Sequence, residues 1–346
     1  MIKRYRRVAI ATLAVSALAL TACSGASEAE VKPSASAEAE IGSHSLVFAH
    51  ITAESFPYQA GALKFKELLE KQTNGKMTVK VYPGGQLGGE RDINESILTG
   101  SVHMGVGAGA LATLAPIMNL LEMPFMIQGQ DHMNRIIESP VGDKLAGMIQ
   151  EQGKFKVLDW FSTGDSSIET TDVAIKTPAD MKGLKLRAIE NPALAAALQA
   201  LGANPTPMPY GEVYTGIQTG VVKGATLDWG SVNSMKLFEL VKHATSPKAA
   251  FLAEPRPVIM SDAFWKSLNK AEQGAVTKAM TEAAAFERQT FKDIQDSAIK
   301  AVKDAGVQFS EIDMDAFLTV LKPVWNKWAK DLAAEDILKG ILDLRK

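Results

Sequence analysis

Residues Lys270–Asp304 read KAEQGAVTKAMTEAAAFERQTFKDIQDSAIKAVKD and contain no proline and one glycine near their start. Apolar residues recur at helical spacing along one face of this stretch, among them Val276, Met280, Phe291 and Val302. A helix of this length would extend roughly 50 Å, which exceeds the width of one α/β lobe. The stretch therefore predicts one long helix that spans two lobes. The alternative is a pair of helices with a break near Thr290 and Phe291.

The chain before this stretch alternates between strand-like and helix-like segments. SLVFAH, KMTVKVYP and VHMGV are typical of strands. YQAGALKFKELLEKQTNG is typical of an amphipathic helix with Leu63, Phe65, Leu68 and Leu69 facing inward, and RDINESILTG is typical of a second helix. This βαβαβ order indicates a largely parallel sheet with helices on its faces.

A second α/β series begins near Phe155, with FKVLDWF, LKLRAI and GATLDW as strands and PALAAALQALG and YGEVYTGIQTG as helices. We therefore predict an α/β, two-lobed, periplasmic-binding-protein-like fold with a ligand in the cleft between the lobes. Lobe I is predicted to comprise residues 45–164 and about 253–290, and lobe II residues 165–252 and about 291–346. The amphipathic stretch Met314–Leu338 predicts a last helix with a kink at Pro323.

The N-terminus has the features of an export signal. Four basic residues in MIKRYRR precede an apolar run that is too short to span a membrane, and the run ends at Leu20-Thr21-Ala22-Cys23. This pattern resembles a bacterial lipoprotein signal, in which Cys23, the only cysteine of the chain, is lipidated. It predicts a signal peptide over 1–22, a flexible tether over 23–44 and a lipid-anchored protein outside the cytoplasm. The alternative is an ordinary secretory signal that is cleaved in the same region.

Composition and motifs exclude several classes of function. A net charge of −2 and a pI near 6.3 give no basic field for nucleic acid. The five histidines are scattered, and the sequence has no Walker loop, GxSxG elbow or HExxH pair. GVGAGA over 105–110 fits GxGxxA only formally, since Pro116 interrupts the helix that should follow. We expect those glycines to serve a tight loop beneath a ligand or a neighbouring strand. The sequence predicts no enzyme, no cofactor and no metal site.

Several ordered motifs resemble those of the solute-binding proteins of TRAP transporters, the tripartite ATP-independent family often labelled with C4-dicarboxylate binding. The resemblance covers roughly Ser45 to Phe309 and is carried by VYPGGQLGGERD, GSVHMGV, EMPFMI, IKTPADMKGLKLR, ALGANPTPMPYGEVYTGIQTGVVKGA and KLFELVKHAT. It implies two lobes that close on an organic acid, a small and a large membrane subunit as partners, and a monomer. Glu90, in the first motif, is a candidate ligand contact.

Arg187 is the central candidate residue. Its neighbours alone leave open whether its planar fork of donors meets a carboxylate of the protein or of a ligand. The resemblance implies that Arg187 is the family's contact to the ligand carboxylate. Many members carry a second arginine where this chain has Ser166, Ser167 or Glu169. The sequence therefore predicts Arg187 as the only cation of the pocket.

Other departures from the family pattern suggest the ligand body. Leu227 replaces the usual amide, Trp229 matches another branch of the family, and Ile51 and Ala108 fall where sugar-acid-binding members tend to have polar side chains. These residues, with Ile189 beside Arg187, favour a carboxylate with a hydrophobic or aromatic body. Tyr210 and Trp229 are candidate walls, and ordinary core packing is the alternative for both.

Two further alternatives remain open from the sequence. Two of the acids Asp165, Glu169, Glu190 and Asp228 could line the cleft and receive an amine, which would make the ligand a zwitterion; solvated surface acids are the other explanation. The protein could also present its ligand to a membrane receptor as a sensor rather than to a permease.

Overall fold

The computed structural model describes residues 40–345. The predicted signal peptide, the predicted lipidation site Cys23 and most of the predicted tether lie outside these residues. The described chain begins close to the first sheet, because the Gly42 N–H donates to Glu272 Oε1 at 2.7 Å and His44 already belongs to a strand.

The strands and helices alternate along most of the chain. The strands are β1 His44–Ala49, β2 Met77–Tyr82, β3 Met104–Val106, β4 Phe155–Ser162, β5 Ser166–Thr170, β6 Lys185–Ala188, β7 Asn204–Pro207, β8 Gly224–Asp228, β9 His243–Thr245, β10 Pro255–Ser261 and β11 Gln308–Ser310. The helices are α1 Pro57–Gln72, α2 Glu90–Thr99, α3 Met118–Leu121, α4 Gly129–Ile137, α5 Pro140–Gly153, α6 Pro192–Ala200, α7 Val213–Gln218, α8 Trp229–Ser234, α9 Asp262–Ser267, α10 Lys270–Asp304, α11 Met314–Asp331 and α12 Glu335–Asp343.

Two sheets organise the fold. The first has the strand order β2-β1-β3-β10-β4 and the second β11-β9-β5-β8-β6-β7. β1 runs parallel to β2 and β3, as the βαβαβ pattern predicts, whereas β10 runs antiparallel to β3 and β4. In the second sheet β5 is antiparallel to β8 and β9, and β6 is parallel to β7 and β8. The predicted two-lobed α/β fold is confirmed, while the predicted lobe bounds stay a prediction.

The long helix is confirmed as one element, α10. A capping box starts it: Asn269 Oδ1 accepts the N–H groups of Ala271 and Glu272, and Glu272 Oε2 accepts the N–H of Asn269 at 2.7 Å. Its first half packs with α1 and β4 in the core of the first sheet, and its second half packs with α8 in the core of the second. The alternative of a break at Thr290 is wrong.

Two details of the helix predictions are wrong. Leu63 is 45% exposed, because α1 turns Tyr58, Ala62, Phe65 and Leu69 toward the first sheet and Leu63 lies off that face. The last stretch, Met314–Leu338, is two helices rather than one, because it is interrupted after Asp331, where Ala333 has a φ of 50°. The helix α11 continues through Pro323, and the kink predicted there stays a prediction. The segment α12 that follows packs against α5, and α11 packs against α6.

The chain crosses between the sheets three times; the long helix α10 is the last crossing, and the other two lie side by side. Thr163–Asp165 leads from β4 to β5, and the return segment reaches β10 through Leu252. These segments bond to each other, since the Ser166 N–H donates to Leu252 O at 2.8 Å. Gly164 has a φ of 74°, and a Cβ there would lie 2.0 Å from a ring carbon of Phe291, so α10 packs directly on the crossing. A cavity opens beside these two crossings.

Candidate functional site

A cavity of about 540 Å³ lies where the two sheets face each other. On the side of the first sheet it is lined by the segments that follow β1, β2 and β3, and on the other side by the ends of β6, β7 and β8. Both crossings contribute, through Thr163, Leu252 and Glu254. Its size suits a small organic molecule, and its place between lobes is a common one for ligand sites.

Arg187 lies on β6 and is 3% exposed. The residues that follow β6 hold this strand end in place. Asn191 ends the extended segment by capping α6, with its Oδ1 accepting the N–H groups of Ala193 and Leu194 at 2.9 Å. The Nε of Arg187 donates to Met208 O at 3.1 Å. Within residues 40–345 no carboxylate forms an ion pair with its guanidinium.

Burial lowers the pKa of Arg187 to about 10, so its side chain stays charged at neutral pH. A buried cation without an ion-pair partner is costly unless a ligand supplies the counter-charge. The charges of Glu90, Glu122 and Glu190 act on Arg187 from a distance, but within residues 40–345 none of them forms an ion pair with it.

Arg256 is a second buried cation at the cavity, and it corrects the expectation that Arg187 is the only one. Its Nη1 donates to Glu122 Oε1, and its Nη2 donates to Glu254 Oε1 at 3.0 Å. Thr163 Oγ1 also donates to Glu254, at 3.0 Å from Oε2. Arg91, at the rim, is a third arginine of the lining.

The electrostatics of this cluster are internal to the protein. Burial raises the pKa of Glu122 to about 8, and the charge of Arg256 opposes that rise. Burial disfavours the charged form of Arg256, but Glu122 and Glu254 outweigh it and hold its pKa above its ordinary value. Arg256 thus differs from Arg187, because the protein already supplies its counter-charges.

Asp228 ends β8 at the cavity and caps α8. Its Oδ1 accepts the N–H of Ser231 at 2.8 Å and its Oδ2 accepts Ser231 Oγ at 2.5 Å. Tyr210 Oη donates in turn to Ser231 Oγ at 3.0 Å. Burial raises the pKa of Asp228 to about 7 and also raises that of Tyr210. These side chains form a hydrogen-bond chain that ends on a buried carboxyl group.

Apolar side chains cover a further part of the lining, and several of the predicted residues are among them. The apolar set comprises Ile51, Val106, Ala108, Ile189, Leu194, Met208, Leu227 and Leu252. Ala108 also donates its N–H to Glu90 Oε1 at 2.8 Å, and burial raises the pKa of Glu90. Glu90 therefore lines the cavity while it fixes the loop after β3.

The glycines of GVGAGA have packing roles in this loop. A Cβ at Gly105 would lie 2.8 Å from Ala49 O on the neighbouring strand, and one at Gly109 would lie 2.8 Å from Ile189 Cδ1. Asn191 Nδ2 donates to Gly109 O at 3.3 Å. The loop therefore makes close contact with the segment that follows Arg187.

The structure brings most predicted site residues to the cavity and leaves three away from its lining. Ser167 and Glu169 are fully buried outside the lining and hydrogen-bond to each other, and burial holds the pKa of Glu169 well above its ordinary value. Trp229 is fully buried in the core of the second sheet, where its ring lies 5.3 Å from that of Phe309. Among the other acids considered, Glu190 lines the cavity and Asp165 does not.

Sequence reasoning missed several polar lining residues. They are His50, Thr52, Thr163, Thr226, Ser231, Glu254 and Arg256. His50 is 2% exposed, its ring nitrogens contact Thr52 and Gln59, and burial lowers its pKa. A positional signal was available for four of them, since His50 and Thr52 follow β1, and Thr163 and Glu254 lie on the crossings.

Within residues 40–345 no group of three histidine, cysteine, aspartate or glutamate side chains is arranged to hold a metal ion. Over the same residues no helix has the length and apolar character needed to cross a membrane.

Comparisons with known proteins agree with this architecture. The family model for bacterial extracellular solute-binding protein, family 7 (DctP) matches residues 48–331. The chain is 31% identical over 305 residues to the 2,3-diketo-L-gulonate-binding periplasmic protein YiaO of Escherichia coli K12, covering 87% of this chain and 92% of that protein. It is 31% identical over 298 residues to the C4-dicarboxylate-binding periplasmic protein DctP of Rhodobacter capsulatus, with 84% and 88% covered.

A solved structure gives the same result for the fold. The TRAP periplasmic solute-binding protein of Bradyrhizobium sp. BTAi1, in complex with D-galacturonate, superposes with a TM-score of 0.81 at 32% identity. The match covers 86% of this chain and 99% of that one.

Proposed function

Because the chain belongs to the bacterial extracellular solute-binding proteins of family 7, the DctP-type binding proteins of TRAP transporters, we propose that it captures an organic acid through Arg187. The family consists of binding proteins rather than enzymes and works outside the cytoplasm. Similar proteins bind diketogulonate, C4-dicarboxylates or galacturonate, all of which carry a carboxylate.

One observation carries the proposal: Arg187 is buried in the cavity and lacks an ion-pair partner among residues 40–345. A ligand carboxylate would restore the balance of charge and accept two parallel hydrogen bonds from the guanidinium. Arg256 is less suited to this role because its guanidinium already forms ion pairs with Glu122 and Glu254.

The ligand body would lie against the apolar lining. Ile189 and Leu227 adjoin the Arg187 side of the cavity, and Ile51 and Ala108 approach from the segments after β1 and β3. Burying apolar ligand surface against them contributes about 25 cal/mol per Å² before the costs of association. We propose on this ground a carboxylate whose middle part is hydrophobic or aromatic.

Capture would couple to closure of the two lobes and then to delivery. A ligand that contacts Arg187 from one sheet and Ile51 from the other stabilises the closed arrangement over the open one. We propose that the closed protein, anchored by a lipid on Cys23, passes the acid to the small and large membrane subunits of a TRAP permease.

The test is titration calorimetry of a carboxylate panel against residues 24–346, with Arg187→Ala as the variant. We expect at least one acid to bind, and its affinity to fall about 100-fold in the variant, because the loss of a buried ionic hydrogen-bonded contact costs about 2–5 kcal/mol. Arg135→Ala, which removes an exposed arginine, is the control and should leave the affinity unchanged. Equal binding by the Arg187→Ala protein would refute the assigned contact.

A further inference from the structure

A group of polar side chains lies at the end of β8, apart from the apolar lining. We call Ser166, Thr226, Asp228 and Ser231 the acceptor corner. Ser166 faces Asp228 across the β5 and β8 pair, and all four residues line the cavity. Arg187 pairs in register with Ala225, so Asp228 lies three residues further along the neighbouring strand, about 10 Å away at ~3.3 Å per residue. An offset of three residues turns the two side chains to opposite faces of the sheet, and both reach the cavity at the end of the strands.

The hydrogen bonds of this corner all point toward Asp228. Tyr210 Oη donates to Ser231 Oγ, and Ser231 then donates both its hydroxyl and its N–H to the Asp228 carboxyl group. A carboxylate has about four acceptor positions, and these bonds use two of them. The chain therefore favours an ionised Asp228 with acceptor capacity left over.

Thr226 provides an independent observation. Its side chain is 5% exposed, lies on the cavity, and its Oγ1 has no hydrogen-bond partner among residues 40–345. A buried hydroxyl without a partner costs free energy, and this cost is recovered when a ligand supplies one.

The balance of buried charge points the same way. Arg256 is balanced by Glu254, and Glu122, whose pKa burial raises to about 8, is mostly protonated at neutral pH, so that cluster offers no net charge to Asp228. Once a ligand carboxylate neutralises Arg187, Asp228 has no positive counterpart among the described residues that form ion pairs. Burial keeps the pKa of Asp228 near neutrality, so a positive group beside it would stabilise its ionised form.

We propose that the acid captured at Arg187 also carries a hydrogen-bond donor at its far end, an ammonium or a hydroxyl group, which Asp228 and Thr226 receive. The charge balance favours the ammonium. This inference rests on the proposed function and deepens it: the ligand is bipolar, with a carboxylate and a donor on either side of an apolar middle.

The test uses matched acids and titration calorimetry. The probes are butanoate, hexanoate and phenylacetate, each as the parent acid, with a terminal hydroxyl and with a terminal aminomethyl or amino group. In the unmodified protein we expect a donor-bearing form of the preferred skeleton to bind about tenfold or more tighter than its parent, because hydrogen bonds to charged groups contribute about 1.5–3 kcal/mol. If the amino form gains more affinity over the parent acid than the hydroxyl form does, the donor is an ammonium group; the reverse order indicates a hydroxyl group.

Two variants localise the effect. Asp228→Asn keeps a good helix cap and the shape of the side chain, and it should reduce the donor advantage to less than about threefold while the parent acid binds as before. Thr226→Val leaves that cap intact and removes an uncharged hydroxyl group that would bond to the ligand. It should reduce the affinity advantage of the donor-bearing acid over its parent about threefold. Asp172→Asn removes an exposed acid and is the control for net charge.

The outcomes separate the two proposals. Parent acids that bind through Arg187 as tightly as their donor-bearing forms would overturn the bipolar ligand and leave acid capture intact. A donor advantage that survives both Asp228→Asn and Thr226→Val would also overturn it. If no acid binds, or if Arg187→Ala binds them equally, the proposed function itself fails.

Discussion

The two buried arginines of the cavity differ in the source of their counter-charge, which is the protein for Arg256 and a ligand for Arg187 in our proposal. Arg256 is enclosed by Glu122 and Glu254, whereas among residues 40–345 the Arg187 side chain donates only from Nε, to the carbonyl oxygen of Met208. Both are less than a twentieth exposed. Burial alone therefore does not identify a ligand contact. The informative property is a buried charge that the described protein leaves without a partner.

The largest expected effect distinguishes the two arginines by stability. Arg256→Met would leave two buried carboxyl groups without their cation and should lower the free energy of unfolding by about 3–5 kcal/mol. Arg187→Met, measured without ligand, should change it by less than about 1 kcal/mol or raise it, since it removes an unpaired buried charge. Denaturant unfolding of the two variants checks this difference.

Arg288→Met is the matched control for the loss of a partly exposed ion pair, because Arg288 pairs with Asp159 at 3.3 Å near the surface. Arg288→Met should lower the free energy of unfolding by only about 1 kcal/mol. If Arg187→Met destabilises the protein as strongly as Arg256→Met, then Arg187 is structural and the distinction between the two arginines fails.

A change of geometry without a change of charge should have the next largest effect. Arg187→Lys keeps the positive charge but loses the planar fork, so binding of the preferred acid should weaken about tenfold, the value of roughly one charge-assisted hydrogen bond. Calorimetry against the unmodified protein measures it. An unchanged affinity would mean that Arg187 acts only through its charge.

The Arg256 cluster should also give stability a pH dependence. The pKa of Glu122 is about 8 in the folded protein and near 4.5 in the unfolded chain. The folded state thus holds this proton more tightly, so the contribution is fully present below about pH 4.5 and is lost as the pH rises through about 8. Unfolding measured from about pH 5 to about pH 9 should show a falling free energy that Glu122→Gln flattens. A profile that Glu122→Gln leaves unaltered would place the titration elsewhere.

The smallest expected effect concerns the link between the Arg187 side and Asp228. Tyr210→Phe removes the donor to Ser231 while it keeps the ring, so affinity for the preferred acid should fall about threefold, the value of a weak ordinary hydrogen bond. Calorimetry measures it, with Tyr214→Phe, an exposed tyrosine, as the control. An effect as large as that of Arg187→Lys would mean that Tyr210 contacts the acid itself.

The sequence was sufficient for the features that depend on local patterns. The α10 helix followed from apolar spacing without proline, and the parallel opening of the first sheet followed from the alternation of strands and helices. The break at Ala333 was not predictable in this way, because it depends on how Ala334 and Ile337 enter the core.

The site was predictable where the family resemblance pointed to a residue by its position. Arg187, Ile189, Leu227 and Asp228 do line the cavity. The cluster of Arg256 and Glu122 was missed because its members are 134 residues apart and meet only through folding. Ser167 and Glu169 were placed near the ligand from the family pattern, whereas folding buries both residues and joins them by a hydrogen bond.

The central claim, that Arg187 awaits a ligand carboxylate and Arg256 does not, is tested most directly by a crystal structure with the tightest-binding acid of the panel. We predict both carboxylate oxygens within about 3 Å of the Arg187 terminal nitrogens, with Arg256 still bonded to Glu122 and Glu254. A carboxylate bound at Arg256 or elsewhere, with Arg187 left unpaired, would contradict this account.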